Sequence, residues 1–207
     1  MSVTMKWFGH ACFSFTGENG VVLLVDPFDD NIGYRIPNHS CDLLLLTRPG
    51  QGERFVSDGY NTVSEPGEFE LNGIPIIAKS LKDISTGESS LIFRFSISEI
   101  SFAFFGTLNH TPSPAEIDFL KDVDCTMVPV GGHVTLDAKS ANSIVDELKP
   151  SYVFPISYKT NALNLAFDHV EDFLVGKSDV IRQASPLFTV NADNLPSRTT
   201  VVVMDFV

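Results

Sequence analysis

The sequence is short of positive charge: 14 Lys and Arg stand against 26 Asp and Glu, a formal net charge of −12. Nucleic acids and anionic membranes both need a basic face, so neither is expected as a partner. No apolar run reaches the ~20 residues of a membrane span; stretches such as Val21–Val25 and Leu43–Leu46 soon meet Asp, Pro or Gly. The opening residues, Met1-Ser2-Val3-Thr4-Met5-Lys6-Trp7, carry no basic patch followed by an apolar segment, so no secretory leader is expected. Cysteine is scarce as well. Cys12, Cys41 and Cys125 are odd in number, scattered and set in or beside apolar segments, which favours buried reduced thiols in a cytoplasmic protein. Neither a repeat nor a linker-like composition break is present, so residues 1–207 are read as a single domain.

What the chain does have is apolar bulk: 43% hydrophobic residues and 17 Phe, enough to exclude disorder. The first half reads as strands. Thr4–Phe8, Cys12–Phe15, Val21–Val25, Asp42–Leu46, Phe69–Leu71, Ile74–Ala78, Ser90–Ile97 and Ile100–Phe105 are short aromatic or β-branched runs separated by turn residues. Leu71-Asn72-Gly73-Ile74 reads as a tight hairpin. Helices then enter at Ser113-Pro114-Ala115-Glu116, after Thr135, and from about Asn164 to Gly176. Strands Cys125–Val130 and Tyr152–Ile156 lie between them, and Leu187–Val190 and Thr199–Phe206 follow. Two β-rich sheets with helices outside, a four-layer α/β/β/α sandwich, is the simplest arrangement of this order.

Several segments, in order, resemble one branch of the metallo-β-lactamase-fold superfamily. These are Trp7-Phe8-Gly9-His10-Ala11-Cys12-Phe13, Leu24-Val25-Asp26-Pro27-Phe28, Glu65-Pro66-Gly67-Glu68-Phe69-Glu70, Pro129-Val130-Gly131-Gly132-His133, Lys149-Pro150-Ser151-Tyr152-Val153-Phe154-Pro155 and Asn194-Leu195-Pro196. The branch is that of small metal-dependent hydrolases similar to ascorbate-phosphate lactonase. Such a resemblance implies a His-x-His-x-Asp-His run after the strand here ending at Thr47, holding one or two metal ions that activate water. Aligned on Leu46-Thr47, those positions hold Arg48, Gly50, Gly52 and Glu53. The family's further ligand positions fall on Lys82, Thr107 and Ser157. A divalent ion about 4 Å from one guanidinium, at an effective dielectric of ~20, is opposed by roughly 8 kcal/mol. On this reading only Glu53 could still bind a metal directly, and neither zinc nor manganese is expected.

The expectation is therefore a metal-free, catalytically degenerate member of the fold serving as a binding or assembly module. The alternative is a hydrolase of a small phosphorylated, ester or lactone substrate with a rearranged active site. Candidate catalytic residues for that alternative are His10, His110 and Glu53, and Asp26, Arg48, Lys82, Thr107, His133 and Ser157 are expected to line the pocket. Two cations and two hydroxyls suit a small anionic ligand, although Arg48 or Lys82 pairing internally with Glu53, Glu68 or Asp83 is the preferred account. Asp26 before Pro27 is expected to accept loop amides. Ser157 lacks a G-x-S-x-G turn and is not read as a nucleophile. His39 reads as a loop residue and His169 as lying on a helix surface, and the Phe content is compatible with a homo-oligomer.

Overall fold

The computed structural model describes residues 1–28, 32–36, 40–48, 52, 60–82 and 87–206. Strands are numbered in chain order. A six-stranded sheet contains β1 (Ser2–Gly9), β2 (Cys12–Gly17), β3 (Val22–Val25), β4 (Leu43–Leu45), β5 (Asn61–Val63) and β13 (Leu187–Asn191), in the order β13-β1-β2-β3-β4-β5. An eight-stranded sheet contains β6 (Gly67–Leu71), β7 (Ile74–Lys82), β8 (Ser89–Ile97), β9 (Ile100–Phe104), β10 (Cys125–Pro129), β11 (Tyr152–Ile156), β12 (Val180–Gln183) and β14 (Thr200–Met204). Its order is β12-β14-β11-β10-β9-β8-β7-β6.

Both sheets change from antiparallel to parallel at a definite point. In the smaller sheet β3, β4 and β5 run parallel, with Leu23 opposite Leu43 and Leu43 opposite Asn61. In the larger one β9, β10, β11, β14 and β12 run parallel. Parallel strands need long crossovers, so the loops leaving their carboxyl ends are free to build a site.

Phenylalanine makes the core, since twelve of the 17 are buried. Between the sheets Phe15 meets Phe95 and Phe102 edge-on at 5.1 Å each, and Phe95 stacks on Phe102 at 5.2 Å. Each such ring withdraws roughly 1.5–3 kcal/mol of apolar surface from water. Strand alternation divides one run between two cores. Leu43 and Leu45 face the inter-sheet core, whereas Leu44 joins Phe8, Leu24, Tyr34, Ile36, Leu163 and Phe167 on the other face of the smaller sheet.

Helices cover the larger sheet. α1 (Pro114–Ile117) is short and continues as a 3-10 turn over Asp118–Leu120; the Glu116 carboxylate accepts from the Ser113 amide and hydroxyl, each at 2.7 Å. α2 (Ala138–Leu148) buries Ala141, Ile144, Val145 and Leu148 and stops where Lys149 turns left-handed ahead of Pro150. Asp137 caps it by accepting the Ser140 amide at 2.7 Å. Asp137→Ala is expected to cost about 1 kcal/mol, read as a lower urea midpoint at unchanged slope.

α3 (Val170–Leu174) is shorter than the apolar spacing from Asn164 predicts. The residues before it form a strap whose backbone is bonded elsewhere: the Asn164 amide to the Ile32 carbonyl, the Asp168 amide to Gly131 and the Lys159 amide to Asp168. Phe167 is drawn into the outer core and Ala166 is left exposed. Two strands lie where no strand pattern is visible. β5 has three residues at a sheet edge, and β12 is an edge strand that buries none of its residues. Among the described residues no helix is long and apolar enough to cross a membrane.

Candidate functional site

The carboxyl ends of β1, β3, β4, β9, β10 and β11 lead into turns that contact one another. Several adopt positive φ: His10 (50°), Asp26 (41°), Gly106 (54°), Gly132 (64°), His133 (56°) and Ser157 (52°). Non-glycine residues rarely hold this conformation, which persists where surrounding packing enforces it. Here the enforcement is visible. The Ser157 amide donates to the His10 carbonyl at 3.1 Å, and the Trp7 indole donates to the same carbonyl at 3.2 Å.

Asp26 ties two strand ends together. It is 2% exposed and accepts from the Thr47 amide at 2.7 Å and the Thr47 hydroxyl at 2.5 Å. Burial pushes its carboxyl up to about 7, against the pull of both Thr47 hydrogen bonds and the positive Arg48. The accepting role predicted for Asp26 is thus seen. Its donor, Thr47, marks the strand end in sequence and carries no other signal.

Arg48 crosses from the smaller sheet to the larger. Its Nε donates to the buried Ser90 hydroxyl at 3.2 Å, and Nη2 donates to the Thr107 carbonyl at 2.9 Å. Glu88, an exposed carboxylate, lies 4.0 Å from Nη1. Among the described residues the carboxylate within 4.0 Å of the Arg48 guanidinium is Glu88, while Glu68 is exposed on β6 opposite Ile77. Nothing in the sequence singles out Ser90 or Glu88.

His10 packs its ring against Phe167, with centroids 5.6 Å apart, and its Nδ1 is buried without a hydrogen-bond partner among the described residues. Burial, aided by the Arg48 charge, lowers its pKa to about 4, so the ring is neutral at pH 7. Ser157 is fully buried with its Oγ likewise unpartnered, and His110 buries an unpartnered Nε2 while Nδ1 lies 3.3 Å from the Asn109 amide oxygen. Thr107 is buried and contributes its carbonyl to Arg48.

The remaining described candidates are exposed. His133 is exposed and pairs with Asp168 across 3.4 Å on the surface. Lys82 is exposed at the end of β7, opposite Ser89. His169 is exposed at the residue preceding α3 and makes no capping hydrogen bond with its side chain. Glu53, Asp83, Gly50 and His39 lie outside the described residues. Cys12, Cys41 and Cys125 are buried and not joined in disulfides.

Among the described residues no group of three or more His, Cys, Asp or Glu side chains is placed to hold a metal ion. The two donors closest in kind are compromised: both Asp26 oxygens accept from Thr47, and His10 shares its surroundings with a guanidinium. Among the described residues these side chains do not by themselves complete a metal site.

Residues 4–157 match the β-lactamase superfamily domain. A UPF0173 metal-dependent hydrolase of Thermoplasma acidophilum is 26% identical over 190 residues, covering 74% of this chain and 82% of the relative. A Thermotoga maritima structure, assigned to the Zn-dependent hydrolases of the metallo-β-lactamase superfamily, superposes with a TM-score of 0.84 at 28% identity. That alignment covers 99% of this chain and 100% of the other. A metal-dependent hydrolase fold from Parabacteroides distasonis, 12% identical, gives 0.70 over 99% of this chain and 94% of that one.

These relatives overturn the expectation of a metal-free, degenerate protein without a cofactor, because their names describe metal-dependent and Zn-dependent hydrolases. The charge argument behind that expectation set a guanidinium about 4 Å from an ion. That argument weighed one cation alone, and Arg48 is held by the Ser90 hydroxyl and the Thr107 carbonyl. The matched domain, the two-sheet architecture and the strand-end turns together make this chain a member of the β-lactamase superfamily, in its branch of small metallo-β-lactamase-fold hydrolases.

Proposed function

We propose that this chain is a hydrolase of a small phosphorylated, ester or lactone substrate, acting where the parallel strands of both sheets end. The names of its relatives support a hydrolytic reaction. The observation that carries the assignment to this place is the set of strained turns that bring a neutral His10, the Arg48 guanidinium and the Asp26–Thr47 pair together.

Each residue has a distinct task in this reading. With a pKa of about 4, His10 is protonated in only about one molecule in a thousand at pH 7. It thus acts as a neutral hydrogen-bonding ring that orients water or substrate. Arg48 supplies fixed positive charge to a developing oxyanion, and little reorganisation is needed because Ser90 and Thr107 already hold it. Asp26 is a positioning residue acting through Thr47. Its partial protonation near pH 7 leaves the Arg48 charge incompletely neutralised.

The test is a panel of phosphomonoesters, phosphodiesters, carboxylic esters and lactones. It is run on the full chain with zinc or manganese supplied and again with a chelator. Turnover on one class, reduced at least tenfold by His10→Ala, is the expected result. No turnover in any arm would remove the proposal.

A further inference from the structure

We propose that Arg48 anchors an anion subsite, binding a phosphate or carboxylate group of the substrate through its guanidinium. This deepens the hydrolase reading and rests on it. Two independent sets of observations carry it. The first is a cation fixed in place. Nε and Nη2 are held by the Ser90 hydroxyl and the Thr107 carbonyl, at 3.2 and 2.9 Å, both neutral groups. Two carboxylates among the described residues act on Arg48: Glu88, exposed and 4.0 Å away, is a weak, solvent-screened contact, and the buried Asp26, raised to about 7, is only partly charged at pH 7.

The second is a set of buried polar atoms without partners in the turns around it. His10 Nδ1, His110 Nε2 and Ser157 Oγ are all sealed from solvent, with no hydrogen bond among the described residues. Buried polar groups are almost always paired, and each orphan costs about 1–3 kcal/mol. These turns adjoin one another. Ser157 bonds the His10 backbone, and His110 lies three residues beyond Thr107, whose carbonyl holds Arg48. The Arg48 charge also reaches both neighbours: it adds to the burial that lowers the His10 pKa and pulls against the burial that raises that of Asp26.

The chemistry of these groups selects the ligand. A hydroxyl donates, and a neutral imidazole has one N–H to donate. Beside a guanidinium fork, such donors are satisfied together by a group with several acceptor oxygens. A cationic ligand would satisfy the ring nitrogens but would face Arg48. The net charge of −12 repels anions at long range, so a local site has to supply the attraction.

The experiment titrates the full chain, labelled with ¹⁵N at histidine, with inorganic phosphate in one arm and acetate in another. Ionic strength is matched with chloride throughout. Saturable shifts of the His10 and His110 ring nitrogens are expected in one arm, and that arm tells phosphate from carboxylate. Arg48→Ala should weaken binding at least tenfold. Arg48→Lys should restore part of it, since charge returns without the fork, and Lys177→Ala, in a distant cleft, should bind as the parent does. Thermal melts of each variant confirm folding. Shifts no different from those with chloride, or binding unchanged in a folded Arg48→Ala protein, would overturn the subsite. Phosphate or acetate binding without turnover on any substrate would instead remove the hydrolase reading and leave the subsite standing.

Discussion

Replacing Gly106 with Ala is expected to destabilise the protein by about 3–5 kcal/mol and lower its Tm by roughly 10 °C. Gly106 sits at φ +54°, and a Cβ there would collide with the Thr47 side chain and approach Asp26 Oδ2 to 2.8 Å. Left-handed backbone alone costs a non-glycine residue about 1–2 kcal/mol. The collision adds more, because Thr47 cannot turn aside without breaking its 2.5 Å bond to a buried carboxyl. If the loop moves instead, it withdraws the neighbouring Thr107 carbonyl from Arg48. Gly73→Ala is the control. Gly73 has φ +74° in the β6–β7 turn with nothing within 4 Å of an added Cβ, so it measures the backbone cost alone. Equal losses for the two variants, measured by chemical denaturation, would show that the Asp26–Thr47 contact is not tightly packed.

The second large effect is a cancellation that mutation uncovers. His10 has its pKa lowered to about 4, so native protein resists protonation and loses stability as pH falls from about 6.5 to 4. Asp26 is raised to about 7, so native protein holds a proton that the unfolded chain has released. Its contribution is fully present below the unfolded carboxyl pKa and is lost as pH rises from about 4 through 7. The two slopes are opposite over nearly one window, each on the order of 3–4 kcal/mol. These two groups should therefore contribute little net slope between pH 4 and 7. His10→Ala should become more stable relative to its own pH 8 value as pH falls, and Asp26→Asn should become less stable. Comparing each variant with itself removes the fixed cost of the substitution. Parallel pH profiles for parent and both variants would contradict the burial of these groups.

Much of the fold was legible because its signals are local. The runs Cys12–Phe15, Leu43–Leu46 and Cys125–Val130 are too apolar to lie anywhere but inside, and each is a buried strand. Asn72-Gly73 supplies the two left-handed residues of a hairpin, at 52° and 74°. The α2 stripe repeats at helical spacing and is buried throughout. The third helix misled because Phe167 and Val170 have helical spacing, while the backbone between them is bonded to Gly131 and Lys159 from other parts of the chain. Periodicity reports which side chains are buried and carries no information about a distant carbonyl that takes an amide.

The site divides in the same way. Which residues occupy the turns, Arg48 after β4, His10 after β1 and Ser157 after β11, was decided by chain order and could be read directly. What those residues do was decided by packing. The Arg48 charge is directed by Ser90 and Thr107, residues 42 and 59 positions away. The proton affinities of His10 and Asp26 are set by how completely two sheets exclude water around them. A sequence specifies side chains and their local backbone preferences. Electrostatics depends on distance and solvent exposure between segments remote along the chain, and only the closed sandwich sets those.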